Sequence, residues 1–250
     1  MPGERGAAPH AASDGAARGR VLEALSAVID PELDEPITAL RFVSRAEVTA
    51  DGDAEVRLRL PTPQCAPNFA FLMAADARRV VRRVPGIRRV TVELEDHYTG
   101  QEINTALERG QGFTGAFPGE TEDDDLEALR AVFTRKALIA RQSRICERLM
   151  RAGTSAEEIV AMRLGQLPDD PQTRRCVELR EQLGIAHRPR SAAFVTPGGD
   201  PLEAEQLERW RRGARLIRTS LEANGEICRG LLAAREAARE ERRDHEEVAR

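Results

Sequence analysis

The sequence predicts an α+β fold: a small α-β-β-α-β domain with two helices on one face of a small sheet, followed by an all-helical C-terminal region. Two observations support this. Period-two and helical patterns alternate before residue 104, whereas the chain after residue 121 is almost purely helical and densely charged. We divide the 250 residues into a disordered tail at 1–18, an α/β domain at 19–104, a linker rich in glycine, phenylalanine and acidic residues at 105–125, and a helical domain at 126–250.

The α/β domain contains five predicted elements in the order helix, strand, strand, helix, strand. They cover residues 20–29, 41–48, 54–60, 69–84 and 88–96. Asp51-Gly52-Asp53 is a tight-turn sequence between two alternating runs, so the first two strands are expected to form an antiparallel hairpin. Pro85-Gly86 then ends the second helix.

The C-terminal region contains a series of predicted helices with a clear start signal between two of them. The longer helices cover residues 126–150, 171–183 and 202–241. Ser155 followed by Glu158 forms a capping box, in which each residue satisfies a free backbone N–H of the other. This pattern indicates a helical bundle or hairpin, whose highly charged end we expect to be solvated.

Cys65 lies where the second strand turns into the second helix. The unpaired N–H groups of a helix's first turn favour negative charge, and a thiolate is the form of cysteine that binds metals and attacks electrophiles. The ordinary alternative is a small residue that fills space under a turn.

Upstream, Pro31 ends the first helix between Asp30 and Glu32, so Asp30 is expected to cap backbone N–H groups and Glu32 to face a partner or metal. Taken alone, such a turn is usually only a turn.

Charge and composition exclude several classes of protein. The formal net charge of −4 gives no global attraction to nucleic acid or anionic membranes. The four cysteines form no CxxC or other zinc-site spacing, and no apolar run reaches the ~18–20 residues that span a bilayer. The first 18 residues lack the features of a signal peptide. We therefore expect a cytoplasmic protein with reduced thiols and no membrane or nucleic-acid partner.

Residues 21–104 resemble a family of small α/β domains in iron–sulfur cluster assembly, which includes PaaD, the SufT-like proteins and eukaryotic cytosolic targeting factors. The resemblance rests on Asp30-Pro31-Glu32-Leu33, the hairpin ending at Thr62, Cys65 before a helix, and Pro85-Gly86-Ile87 before the last strand. It implies a maturation factor rather than an enzyme, which delivers an iron–sulfur cluster to client metalloproteins, or docks on them, through Cys65. The functional motif would comprise Asp30, Glu32 and Thr62.

The resemblance implies that the cluster is a transient cofactor. One cysteine cannot complete an iron–sulfur site, so further ligands would come from a second protomer, a client or a small thiol, and a homodimer is the economical route. His97, just past the third strand, is a second candidate ligand, although a surface histidine at a strand end is the more ordinary interpretation. The expected partners are a client metalloprotein and the cluster-assembly proteins.

Three alternatives stay open at this point. The chain could be an accessory adaptor for a metal-dependent oxygenase that holds no stable cluster. It could be a DNA-binding regulator, because Gly153 lies in a short turn between two helices near several arginines. It could also be a thiol enzyme in which His97, the histidine nearest to Cys65 in sequence, serves as the base.

Overall fold

A computed structural model describes residues 8–119 and 126–248. Contacts divide these residues into two compact units, each described by itself. The first unit comprises residues 8–30, 35–119, 126 and 227–248, and the second comprises residues 31–34 and 127–226. Each unit therefore includes a segment that is distant in sequence from the rest of it.

The first unit contains α1 to α4, all the strands and the end of the last helix. Their bounds are α1 Ala8–Leu25, β1 Ile29–Asp30, β2 Glu35–Pro36, β3 Val43–Val48, β4 Asp53–Arg59, α2 Pro67–Val81, β5 Arg89–Glu95, α3 Gly100–Arg109 and α4 Phe113–Ala116. The second unit contains the remaining helices and the beginning of the last one. These are α5 Glu127–Arg151, α6 Ala156–Ala161, a 3₁₀ turn Leu164–Gln166, α7 Pro171–Gln182 and α8 Ala204–Val248.

The main sheet has the strand order β3-β4-β5. The predicted hairpin is confirmed, since β3 and β4 pair antiparallel with Ala46 opposite Val56. β4 and β5 pair in parallel, with Val56 opposite Val92. The carboxyl ends of β4 and β5 therefore meet at one edge of the sheet. A separate two-residue ladder joins β1 to β2, pairing Asp30 with Glu35.

Alternation of side chains accounts for the way the sheet is covered. Along β4, Ala54, Val56 and Leu58 are buried while the residues between them stay partly exposed. Helix α1 packs on β3, and α2 and α3 pack on β5, so the α+β class is confirmed and one further helix joins the two that the sequence predicts. Gly52 is required at the hairpin turn: its φ is +84°, and a Cβ there would lie 2.4 Å from the carbonyl oxygen of Gly86.

The N-terminal elements differ from the sequence-based expectations. Residues 8–18, predicted as part of a disordered tail, form the first part of α1; this segment is rich in alanine, which favours helix, and residues 1–7 lie outside the described residues. The first helix also ends at Leu25 rather than residue 29, since Val28 and Ile29 are β-branched and Ile29 belongs to β1.

The predicted linker is partly structured. The proposed boundary at residue 104 falls inside α3, whose hydrophobic face continues the core of the first unit through Ile103 and Leu107. Phe113 in α4 packs edge-on against Phe71 of α2, with ring centroids 5.6 Å apart. The acidic run at 120–125 lies outside the described residues. The division of the chain into independent domains stays a prediction.

The second unit is helical, as the sequence predicts. Both bonds of the capping box are present: the Glu158 N–H donates to the Ser155 hydroxyl at 3.2 Å, and the Ser155 N–H donates to the Glu158 carboxylate at 2.8 Å. Helix α7 begins at Pro171 as expected, with the Asp170 carboxylate accepting from the Thr173 N–H at 2.9 Å. α5 and α7 pack against each other around an apolar core. Its fully buried members include Leu138, Ile145, Cys146, Ile159 and Leu207.

Arg180 is a charged residue at the centre of this core, with none of its side chain exposed. Its guanidinium donates to the carbonyl oxygens of Ala192 at 2.7 Å, Ala193 at 2.5 Å and Ala186 at 3.2 Å. Both terminal nitrogens of Arg180 are hydrogen-bonded and its Nε has no partner among the described residues, so Arg180 holds the irregular segment between α7 and α8 through the backbone bonds of Nη1 and Nη2.

Candidate functional site

Cys65 lies in a loop whose shape is set by prolines. β4 ends at Arg59, and Pro61 and Pro63 cannot donate to a strand ladder, so pairing cannot continue. Pro67 then occupies the first turn of α2, where a missing N–H costs nothing. Ala66 precedes the helix and makes no side-chain cap. The Asn68 side chain instead accepts from the Phe69 N–H at 2.9 Å, so the first turn of α2 beside Cys65 is only partly capped.

Two residues of the predicted motif come together in this loop. The Thr62 hydroxyl lies 3.6 Å from the Cys65 sulfur, within hydrogen-bonding range for sulfur, and either atom can be the donor. Cys65 is partly exposed and is a free thiol. A hydroxyl at this distance can donate to a thiolate when the sulfur is deprotonated, so Thr62 can stabilise the form of Cys65 that binds metal.

His97 holds the backbone of the same loop. The amide N–H of Thr99 donates to the His97 Nδ1 at 3.3 Å, which makes Nδ1 an acceptor without a proton. The proton of the neutral ring is therefore on Nε2, which donates to the carbonyl oxygen of Cys65 at 2.7 Å. A second bond, from the Tyr98 N–H to the carbonyl oxygen of Pro63 at 3.0 Å, ties the two loops together.

The surroundings of His97 keep its ring neutral. Burial lowers the pKa of His97 below its ordinary value, the bond to Cys65 opposes this, and the nearby Arg235 charge lowers the pKa further. Both ring nitrogens have partners in the loop. In this arrangement His97 orients Cys65, and its role as a metal ligand stays a prediction.

Arg235, from the C-terminal part of α8, joins the ends of β4 and β5. Its Nη1 donates to the carbonyl oxygen of Leu60 at 2.6 Å, and its Nη2 donates to the carbonyl oxygen of Asp96 at 3.1 Å. The Asp96 carboxylate also lies 3.4 Å from Nη2 and 2.9 Å from Arg239. The Arg235 charge interacts electrostatically with Cys65. The Arg235 guanidinium therefore holds the first residue after β4 and the first residue after β5, and it places a positive charge near the Cys65 thiol.

Sequence reasoning missed Arg235 because it lies in a charged run that predicts only a solvated helix. The bonds it makes connect residues 139 and 175 positions apart, and no local pattern reports such a contact. One signal was available. Cys228, Leu232, Arg235 and Arg239 recur at intervals of four, three and four, so they share one helix face, and Leu232 is buried on it.

The acidic turn is divided between the two units. Asp30 is buried in β1 of the first unit. In the second unit, Glu32 accepts from the Asn224 amide at 3.3 Å. The functional roles of both carboxylates stay predictions.

Asp34, two residues after Glu32, is bound by two arginines of the second unit. Its carboxylate accepts from the Arg141 Nε at 2.7 Å and from the Arg175 Nη2 at 2.7 Å. Arg141 also donates to the carbonyl oxygen of Asp34 at 2.8 Å. Burial opposes the charge of Arg175, but the Asp34 carboxylate beside it raises the pKa of Arg175.

Two of the remaining cysteines are less accessible than Cys65. Burial raises the pKa of Cys146 to about 11 and that of Cys176 to about 12, so these thiols stay protonated. Cys228 is partly buried on α8. Within residues 8–119 and 126–248, no three histidine, cysteine or acidic side chains cluster in a way that could hold a metal ion.

Comparison with known proteins identifies the family of the α/β region. The profile of a family described as iron–sulfur cluster assembly protein matches residues 18–94. An uncharacterized protein of Methanocaldococcus jannaschii is 31% identical over 87 residues, which cover 35% of this chain and 90% of that protein. This chain belongs to the iron–sulfur cluster assembly protein family. The family segment contains Thr62 and Cys65 and ends two residues before Asp96.

Other relatives match the same part of the chain. An iron–sulfur cluster carrier protein of Deinococcus radiodurans is 38% identical over 74 residues, and the match spans 30% of this chain but only 20% of that protein. A crystal structure of a DUF59 domain of unknown function from Bacillus anthracis is 23% identical, covers 39% of this chain and 97% of that domain, and gives a TM-score of 0.32. In the described part of the chain, no helix combines the length and hydropathy needed to cross a membrane.

Proposed function

We propose that the protein is a maturation factor that receives an iron–sulfur cluster at Cys65 and passes it to a client metalloprotein. The single observation that carries the proposal is the environment of Cys65. A partly exposed thiol lies just before the first turn of α2, with a hydroxyl 3.6 Å from its sulfur and an arginine charge nearby. A helix N-terminus, a hydroxyl donor and a positive charge are groups that can stabilise a bound thiolate, and a thiolate is the ligand that iron–sulfur clusters use.

The cluster itself is the cargo of this site. Cys65 supplies one thiolate, and Thr62 can donate a hydrogen bond to its sulfur, which tunes a thiolate ligand without binding the metal. His97 and Arg235 hold the two loops so that the sulfur keeps one position. The other ligands come from outside this site, either from a second copy of the chain, from the client or from a small thiol. A single protein thiolate suits transfer, since a cluster held by one residue is easily released.

Anaerobic reconstitution with iron and sulfide tests this proposal. We expect the native protein to gain visible absorption and bound iron, and Cys65→Ser to gain neither while its circular dichroism spectrum is unchanged. Cys228→Ser is the matched control, because it removes another partly buried thiol from the same unit and should reconstitute normally. Equal iron content in Cys65→Ser and the native protein would refute the role of Cys65.

A second candidate function is an adaptor for a metalloenzyme that holds no stable cluster. The way the helical unit binds the acidic turn favours it, because Asp34, next to the family motif, is held by Arg141 and Arg175. If no cluster forms in either the native protein or Cys65→Ser, while both proteins still capture a client metalloenzyme, the adaptor function is favoured. A DNA-binding function has less support, since α6, which follows the Gly153 turn, is only six residues long.

A further inference from the structure

A concave surface in the first unit lies beside the sheet edge that carries Asp96. Its volume is about 610 Å³, and five arginines and two glutamates line it together with Ser44. The arginines come from three parts of the chain. Arg41 precedes β3, Arg59 ends β4, and Arg239, Arg242 and Arg243 belong to the last turns of α8. The positive charge of this basic pocket is thus assembled by the fold and does not arise from one charged run.

The charge of the basic pocket is only partly neutralised. Arg59 pairs with Glu95 at 2.7 Å and Arg239 with Asp96 at 2.9 Å. Arg41 lies 3.6 Å from Glu236, with 74% of its side chain exposed. In the part of the chain that the structure describes, Arg242 and Arg243 have no acidic partner. Two arginines are therefore free to bind an anion, and a third is held only loosely.

Two buried donors also lack acceptors at this surface. The Nε of Arg59 and the Nη1 of Arg239 are shielded from solvent and have no hydrogen-bond partner among the described residues. An unsatisfied buried donor is costly, and native structures usually satisfy such groups. Both belong to residues that line the basic pocket.

The lining of the basic pocket selects the chemistry of the ligand. It includes no aromatic and no large apolar side chain, so nothing in it would stack on a base or bury a hydrocarbon. Guanidinium groups present forked pairs of N–H donors that match phosphate oxygens. A volume of 610 Å³ falls in the range of small-molecule sites. We propose that the basic pocket binds a chain of two or three phosphates.

This proposal goes beyond the proposed function and is independent of it, because none of the lining residues touches the Cys65 sulfur. The phosphate chain could be free oligophosphate or the tail of a nucleoside triphosphate. Both present the same linked phosphates to the arginines, and the pocket offers nothing that would recognise the nucleoside.

Isothermal titration calorimetry of the full chain with sodium tripolyphosphate tests the proposal. We expect saturable 1:1 binding at about 50 mM salt that weakens at about 200 mM salt. Arg242→Gln with Arg243→Gln should reduce the affinity at least about tenfold, since each replaced arginine removes a charge-assisted hydrogen bond. Arg209→Gln with Arg212→Gln is the matched control: it removes the same charge from exposed positions elsewhere on α8 and should change the affinity less than about twofold.

The outcomes separate the proposal from general electrostatic attraction. An equal loss of affinity in both double variants, or no heat of binding at low salt, would overturn it. ATP titrated in parallel should bind about as well as tripolyphosphate, while binding of ATP without binding of tripolyphosphate would also overturn it. Tighter binding of an oligoglutamate peptide would assign the surface to an acidic protein segment and reject the phosphate site. All these experiments use protein without a cluster, so failure of the proposed function would not affect them.

Discussion

Each unit of the molecule contains an aspartate held by two arginines, and the two clusters differ in exposure. Asp34 in the second unit binds Arg141 and Arg175, and its side chain is 5% exposed. Asp96 in the first unit binds Arg235 and Arg239, and its side chain is 47% exposed. In both, an arginine also donates to the carbonyl oxygen of the aspartate. The backbone φ is positive at both, 53° and 51°, a conformation that aspartate adopts more readily than most residues.

The difference in exposure implies that the two clusters contribute differently to stability. An ion pair removed from water is strongly destabilised when one partner is lost, whereas a half-exposed pair contributes little. The Asp34 cluster should therefore stabilise the fold of the second unit. The Asp96 cluster should contribute mainly through the position of Arg235 beside Cys65. Substitutions in the Asp34 cluster should therefore change mainly the free energy of unfolding, and substitutions in the Asp96 cluster should change mainly the reactivity of Cys65.

The largest effect is expected from Asp34→Asn compared with Asp96→Asn. Asparagine keeps the size of the side chain and tolerates a positive φ, so each variant removes only a charge. Asp34→Asn leaves two largely buried arginines without their carboxylate and should lower the free energy of unfolding by about 3 kcal/mol. Asp96→Asn should lower it by less than about 1 kcal/mol. Urea denaturation followed by circular dichroism measures both, and equal losses would contradict the comparison.

A moderate effect is expected when Arg235 is changed. Arg235→Ala removes two hydrogen bonds from a charged donor and should cost about 2 kcal/mol of stability. It also removes a positive charge near Cys65, so iodoacetamide should alkylate Cys65 several-fold more slowly at neutral pH. Arg235→Lys should recover most of the alkylation rate, because it keeps the charge, but less of the stability, because a single ammonium cannot match the forked geometry.

The control for this experiment is Arg229→Ala on the same helix. Arg229 binds Glu35 at 3.1 Å with 45% of its side chain exposed, so its loss should change neither quantity appreciably. An alkylation rate that falls equally in Arg229→Ala and Arg235→Ala would indicate a general effect of charge. Mass spectrometry should be used to distinguish modification of Cys65 from that of Cys228, which is also partly exposed, whereas Cys146 and Cys176 are buried and protonated.

The smallest effect is the pH dependence that His97 contributes. The pKa of His97 is lower in the folded protein than in the unfolded chain. As the pH falls, His97 is therefore protonated in the unfolded chain before it is protonated in the folded protein. The stability that His97 contributes should be complete above about pH 6.5 and should fall as the pH drops below that value toward the folded pKa. His97→Gln keeps a donor for the Cys65 carbonyl but does not titrate. The difference in melting temperature between the two proteins should therefore change between about pH 7 and pH 5, and an unchanged difference would contradict this role.

The sequence predicts those parts of the fold that depend on neighbours along the chain. The hairpin around Gly52, the capping box at Ser155 and the start of α7 at Pro171 are set by local backbone chemistry, and the structure confirms all three. The position of Cys65 between strand and helix was predictable for the same reason, whereas Thr62 was named only through the family resemblance.

The contacts that complete the candidate site are not local. Arg235 reaches Leu60 and Asp96 across more than 130 residues. The acceptors are carbonyl oxygens, which no sequence pattern marks, and the spacing around Arg235 indicates only a shared helix face. His97 was predicted as a ligand because its chemistry permits this. Its use of Nε2 to hold the Cys65 carbonyl depends on the way two loops meet, which only the three-dimensional structure gives.

The last part of α8 contributes to the first unit, and this limits how far the family segment can be treated as a separate module. Residues 18–94 match the family profile, yet the donor for the Leu60 and Asp96 carbonyls lies at position 235. If residues 18–94 were transferred into another protein, the carbonyl oxygen of Leu60 would lose its arginine donor and would bind water instead. The compact unit that supplies this donor is discontinuous and comprises residues 8–30, 35–119, 126 and 227–248. In this chain the segment that matches the family profile and the compact unit that contains it are not the same stretch of sequence.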